Sequence, residues 1–163
     1  MLEQAVLHVD GPVAIRYPRG GEGAYQGDAG PGHAAVLRQG DDITLVSYGI
    51  LINDVLEAAE LLAAEGVQAE VVKLNVITPL DPVLESVKKT KVLLTVEDSA
   101  AHSSVGELLA AAVAEAGLRA KVLCRTSGDK FVTHGALSCL KQELGLDSAG
   151  IFRAALEEVR KHG

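Results

Sequence analysis

A chain of 163 residues is long enough for one domain with its own core and too short for two, and that core must be aliphatic, because 48% of the residues are hydrophobic while Trp is absent and Phe occurs twice. A formal net charge of -7 excludes a broad electropositive surface, so nucleic acid is not an expected partner and any anion site must be local. No apolar run reaches the length of a membrane span, and the opening MLEQAVLHVD has neither a basic n-region nor a long apolar h-region. The expectation is a cytoplasmic protein with no membrane attachment.

The first forty residues differ in kind from the rest. A helical MLEQAVLH leads to a short strand-like PVAIRYP at 12–18, and then glycine or proline recurs every few residues without a sustained period. This stretch reads as a linker or arm, with a boundary near Gly40. Within it Arg16 and Arg19 lie an odd number of residues apart, so an extended backbone sends them to opposite faces. Pro18 fixes one torsion and biases Tyr17 toward an extended conformation. One arginine can then bind structural carboxylates while the other faces a ligand; the alternative is a solvated basic edge strand. The neighbouring glycines do not form a phosphate cradle, because no helix pattern follows them closely.

From residue 42 the pattern is regular. ITLVSYG at 43–49 is a strand closed by glycine, and 50–66 carries apolar positions at helical spacing up to Gly66. VQAEVVKL is a second strand. In TPLDPVLESVKKT, Asp81 is placed as an N-cap with Pro82 as first helical residue, and Lys88 and Lys89 suit the helix C-terminus. KVLLTVED is a third strand, 103–117 a helix with a serine cap and a glycine stop, AKVLCRTS a fourth strand, and 135–145 and 147–163 two closing helices. Strands alternating with helices imply right-handed crossovers and an α/β fold: a doubly wound, mostly parallel sheet with helices on both faces. Cys124 and Cys139 form no C-x-x-C pair and have no metal-ligand spacing, so both read as reduced core residues.

No P-loop, G-x-G-x-x-G or G-x-S-x-G element is present. The segment 96–107 sits where a strand ends and a helix begins, the usual ligand position in doubly wound folds. Glu97, Asp98 and His102 could form an acid–base cluster there; alternatively Ser103 or Ser104 caps the helix and the acids favour its positive end. A similar loop at 127–135 holds Asp129 and His134, the latter either a loop histidine or a catalyst.

Taken in order, GPVAIRYPRG, LVSYG, VVKLNVITPLD, LLTVEDSA and THGALSCLKQELGLDSAGI resemble the C-terminal part of the transketolase family of thiamine-diphosphate enzymes, over essentially the whole chain. By that likeness residues 1–24 are the tail of a pyrimidine-binding domain, 25–40 a linker, and 41–163 the C-terminal domain. The resemblance implies that Arg19 binds a substrate phosphate, for which a guanidinium fork is suited by its parallel donors. It implies that thiamine diphosphate and magnesium belong to N-terminal domains or a separate N-terminal subunit, that this chain alone binds neither and is not catalytic, and that the assembly is a homodimer. Where the family has a glycine pair after V-E-E, this chain has Ala101, His102, Ser103 and Ser104, and where it has G-L-P-D, this chain has Ser127, Gly128, Asp129 and Lys130. In the family these loops, with Glu97, Asp98 and His134 beside them, lie at the active-site entrance or against the partner subunit. Two further readings stand beside this one: the C-terminal lobe of a 2-oxo acid dehydrogenase beta subunit, and a non-catalytic module for dimerisation or for a regulatory ligand.

Overall fold

The computed structural model describes residues 2–15, 17, 23–27 and 32–162. A short helix α1 (Leu2–Leu7) is followed by β1 (Ala34–Arg38), β2 (Ile43–Ser47), a 3-10 turn (Gly49–Leu51), α2 (Ile52–Ala64), β3 (Ala69–Leu74), α3 (Asp81–Thr90), β4 (Val92–Val96), α4 (Val105–Glu115), β5 (Lys121–Arg125), α5 (Leu137–Leu144) and α6 (Ser148–His162). The five strands form one sheet in the order β1-β3-β2-β4-β5, parallel except for β1, which runs antiparallel to β3. The expected doubly wound fold is therefore present.

Every residue of β2 and β4 is buried, as strands covered on both faces must be. Alternation then sorts their side chains. Ile43, Leu45, Val71, Leu94 and Val96 pack with α2 and α6 on one face, and Val46, Val72, Leu74 and Leu93 pack with α3 and α4 on the other. On α2 the contact stripe is Val55, Ala58, Ala59 and Leu62, at the i, i+3, i+4, i+7 spacing of one helix face, and Ala154 and Ala155 of α6 sit in the same layer. The alanine-rich α4 also serves its own sheet, through Val105, Leu109 and Val113, while Leu108 remains 48% exposed.

Several local expectations need correction. Residues 34–38, inside the stretch read as a linker, form an edge strand, and 12–15, read as strand-like, lie in no strand. Gly40 is packed inside the domain. To join β1 to β2, which are separated by β3, the chain crosses the start of β3 so closely that a Cβ on Gly40 would stand 2.3 Å from the Ala69 carbonyl carbon and 2.4 Å from the Gln68 oxygen. Asp81 is the first residue of α3 and Leu80 the N-cap, with no side-chain cap bond, while Lys88 and Lys89 do occupy the last turn. The helix ends on Lys91 in the left-handed conformation, φ 61°. Cys124 and Cys139 are both free, but both are exposed: Cys124 is on the outer strand β5 and Cys139 on α5, which buries none of its residues.

Where Gly40 crosses β3, Glu70 is buried, its side chain 4% exposed, and ion-paired with Lys89 of α3, which also lies 3.5 Å from Asp41. Burial pushes the Glu70 carboxyl up, but the hydrogen bonds from Lys89 and Ser86, the Lys89 charge and the Gly40 N–H outweigh it and hold the group below its ordinary value. A carboxylate with a lowered folded pKa stabilises the protein fully above the unfolded value of about 4.3, and that contribution is lost as pH falls through the folded value. Urea midpoints measured from pH 7 downward should stay flat until about pH 5 and then fall, and Glu70→Gln should make that acid limb shallower. An unchanged limb in the variant would assign the acid sensitivity to other carboxylates.

Candidate functional site

The chain leaves β2 toward β3 on one side and later enters β4 on the other, so the C-terminal ends of β2 and β4 form the switch point of the sheet. Ser47 Oγ donates to the Val96 carbonyl at 2.7 Å and ties the two strand ends together. One step further, Tyr48 OH donates to Oε2 of Glu97 at 3.0 Å. Glu97 is 2% exposed, and its carboxylate is fully engaged. Oε2 also accepts from Ser99 Oγ at 3.1 Å and the Val105 N–H at 2.9 Å, and Oε1 accepts from the Gly106 N–H at 2.8 Å.

This geometry decides between the two sequence readings of 96–107. Glu97 occupies the positive end of α4 and satisfies two of its otherwise orphaned amides, as the helix-end reading requires. Ser104 is the N-cap, its Oγ accepting from the Glu107 N–H at 3.2 Å, and Glu107 Oε2 accepts in return from the Ser103 N–H at 2.8 Å. A carboxylate with four donors and almost no exposure acts as a structural anchor. The close approach of helix to sheet also explains Gly106. A Cβ there would lie 2.4 Å from Thr95 Oγ1 and 2.6 Å from Cys124 Sγ.

The two loops that follow β4 and β5 are joined. Ser127 donates from both N–H and Oγ to the Ser99 carbonyl, at 2.9 and 2.6 Å, and Asp129 Oδ1 accepts from the Ala101 and His102 amides at 3.1 and 3.2 Å. The His102 ring stands 3.5 Å from Glu107 through Nδ1 and 3.5 Å from Asp129 through Nε2, with its side chain 84% exposed. Such an exposed pair of contacts is worth little energetically and serves to drape the ring over the junction. Asp98 is exposed at the same rim. A cleft of about 280 Å³ runs from Ser127 to Thr133 and is closed by Glu143 and Leu144. His134 lies beyond it, exposed, with no side-chain hydrogen bond or ion pair among the described residues.

The structure thus brings Glu97, Asp98, His102 and Asp129 to one end of the sheet and leaves His134 apart. Arg19 and Arg16 lie outside the described residues. Just after them, Tyr25 donates its N–H to Asn53 Oδ1 at 2.7 Å, and Lys73 sits 5.6 Å from the Tyr25 ring centroid. Residues 23–27 are therefore fastened beside the start of α2. Sequence reasoning missed Tyr48, Ser99 and Gly106; the last carried a signal, since a glycine in the first turn of a helix weakens it unless something must approach.

The α4 amides that would cradle a phosphate are already occupied by a carboxylate, so this strand end does not fit an anionic diphosphate cofactor. Among the described residues no group of His, Cys, Asp and Glu is arranged to hold a metal. Glu97→Gln should cost about 1–3 kcal/mol, because one of the two α4 amides would then face an NH2 group. Tyr48→Phe should cost about 1 kcal/mol, since three donors to Glu97 remain. Urea denaturation of the two variants checks the order.

Comparison with known proteins places this geometry. Residues 32–151 match the family model for the transketolase C-terminal domain. The chain is 34% identical over 167 residues to the 1-deoxy-D-xylulose-5-phosphate synthase of Chlorobium luteolum, covering 98% of the chain and 26% of that protein. It is 38% identical over 156 residues to that of Desulfitobacterium hafniense, covering 91% and 25%, and 38% identical over 169 residues to that of Desulforudis audaxviator, covering 99% and 26%. It therefore spans about a quarter of the length of these relatives. Among solved structures, an inactive beta4 tetramer of a split-gene transketolase superposes with a TM-score of 0.67 at 24% identity, over 88% of this chain and 47% of that one. The transketolase of Pichia stipitis superposes with a TM-score of 0.56 at 17% identity, over 78% and 18%. The chain belongs to the transketolase C-terminal domain family.

Proposed function

We propose that this chain is the C-terminal domain, or a separate C-terminal subunit, of a 1-deoxy-D-xylulose-5-phosphate synthase, and that it is not catalytic by itself. The observation that carries this reading is identity of 34–38% to such synthases along more than nine-tenths of the chain, in proteins four times as long. In the complete enzyme pyruvate loses carbon dioxide and its remaining two-carbon unit joins glyceraldehyde 3-phosphate, work that serves isoprenoid and thiamine biosynthesis in the cytoplasm. Thiamine diphosphate would supply the electron sink for decarboxylation when bound, and the other domains would hold it together with magnesium. The role left to this chain is to close the entrance and to present an arginine to the acceptor phosphate.

Two features support a domain with missing neighbours. Before the sheet begins, Val6 is 76% exposed, Leu7 64% and Tyr17 81%, as expected for residues 1–24 if they are the tail of a pyrimidine-binding domain that is packed elsewhere in the whole enzyme. After β5, Phe131 is 94% exposed and Leu137 64%, beside the joined loops that carry Asp98, His102 and Asp129. These exposed apolar side chains suit a face that meets another subunit. Sedimentation of the chain across a wide concentration range should show self-association, and Phe131→Ser with Leu137→Ser should shift it toward monomer. A concentration-independent monomer would remove the homodimer from the proposal.

Mixing the chain with an N-terminal polypeptide carrying the cofactor domains should give decarboxylation of pyruvate that neither part shows alone. In that assembly Arg19→Ala should weaken use of the phosphorylated aldehyde by about 2–5 kcal/mol in kcat/KM if the charge pair is desolvated, while pyruvate use changes little. Steady-state kinetics with the acceptor with and without its phosphate read the difference. An equal effect of ~1 kcal/mol or less on both acceptors would leave Arg19 as a scaffold residue.

A further inference from the structure

We infer that the cleft at the N-terminal ends of β2, β4 and β5 binds a small phosphate-bearing anion through Lys91, Arg119 and Lys121. This cleft has a volume of about 690 Å³, and Asp41, Asp42 and Val159 complete its wall. It lies at the end of the sheet opposite Glu97 and shares no residue with the loops described above.

The placement of the three cations follows from the backbone. Residues 119 and 121 are two apart on the extended run entering β5, so their side chains leave on the same side. Further along the same alternation Leu123 packs with the α2 and α6 layer, whereas Val122 packs with α3 and α4. Arg119 and Lys121 therefore stand on the α6 side, where Val159 lies. Lys91 is brought beside them by the Lys121 N–H, which donates to the Lys91 carbonyl at 2.9 Å, and by the pairing of Val92 with Lys121.

Charge bookkeeping within the cleft favours an anion. Asp42 Oδ2 accepts the Gln68 N–H at 2.6 Å, and Asp41 stands 3.5 Å from Lys89, so both carboxylates have partners. The side chains of Lys91, Arg119 and Lys121 have no hydrogen bond or ion pair among the described residues. Lys91, Arg119 and Lys121 outnumber the Asp41 and Asp42 carboxylates in the lining, so the cleft keeps a positive excess in a protein of net charge -7. Lys91 holds its place in a left-handed backbone conformation that glycine would adopt without strain. A phosphate supplies several acceptor oxygens for a guanidinium fork and two ammonium groups, and the apolar wall of Val92, Ala120 and Val159 suits the carbon skeleton of a small ester. The overall negative charge disfavours an extended polyanion or an anionic membrane as the occupant.

Sodium pyrophosphate titrated into the full chain at low ionic strength, followed by calorimetry and by amide NMR shifts against a sodium chloride control, tests the site. Saturable binding with a Kd on the order of 1 mM or tighter is expected, with shifts confined to residues 41–42, 91–92 and 119–121. Arg119→Gln with Lys121→Gln should weaken it at least about tenfold. Lys91→Gly removes a cation while relieving the backbone, so it should fold at least as well and still lose affinity several-fold. Shifts that do not saturate, that appear at the α4 N-terminus instead, or an affinity unchanged in folded Lys91→Gly would overturn the inference.

Discussion

Glu97 accepts hydrogen bonds from the end of β2, from its own loop and from the first amides of α4, so a single buried carboxylate sets the relation of two strands and a helix. Each donor would be an unsatisfied buried or half-buried group without it, and the carboxylate itself could not be buried without them. The loop after β4 is consequently anchored at its base, and Ser99 and the Asp129 carboxylate pass that order on to the loop after β5. Glu97, Ser99 and Asp129 thus hold the two loops in one arrangement.

The opposite end of the sheet is organised by a second buried carboxylate. Glu70 sits where Gly40 passes under β3, and its pairing with Lys89 fastens α3 to the crossing. The two ends therefore differ in character. At the C-terminal end the strand termini are closed by Glu97 and rimmed by exposed Asp98, His102 and Phe131, a surface suited to contact with protein. At the N-terminal end Lys91, Arg119 and Lys121, which have no ion pair among the described residues, line an open cleft together with Asp41 and Asp42. Hydrogen-bonding one buried acid and ion-pairing the other lets a sheet with aliphatic layers on both faces carry polar groups at its ends.

The parallel core was legible because β2 through β5 are compact apolar runs separated by helical periodicity, and a serine cap for α4 was visible as Ser103 or Ser104, of which the structure uses Ser104. β1 was not legible. AAVLR is short and alanine-rich, Gly32 and Gly40 stand two residues from its ends, and its partner β3 lies more than thirty residues away, so only long-range pairing makes it a strand. The exposure of Cys124 was missed for a related reason: KVLCR is as apolar as a central strand, and only its flanking Lys121 and Arg125 hint at an edge. At the site, the acids were visible as residues at a strand-to-helix junction, but the link between Tyr48 and Glu97 spans 49 positions and no local pattern encodes it.

The switch point of this domain is filled by its own carboxylate, which under the proposed function leaves the cofactor to other domains. Isothermal titration of thiamine diphosphate with magnesium into the chain alone tests that most directly. No saturable heat beyond dilution is expected, and the same result for a Tyr48→Phe variant that keeps the helix capped. Saturable binding to the wild-type chain, with NMR shifts centred on Val105 and Gly106, would mean that Glu97 yields the α4 amides to a diphosphate and would contradict it.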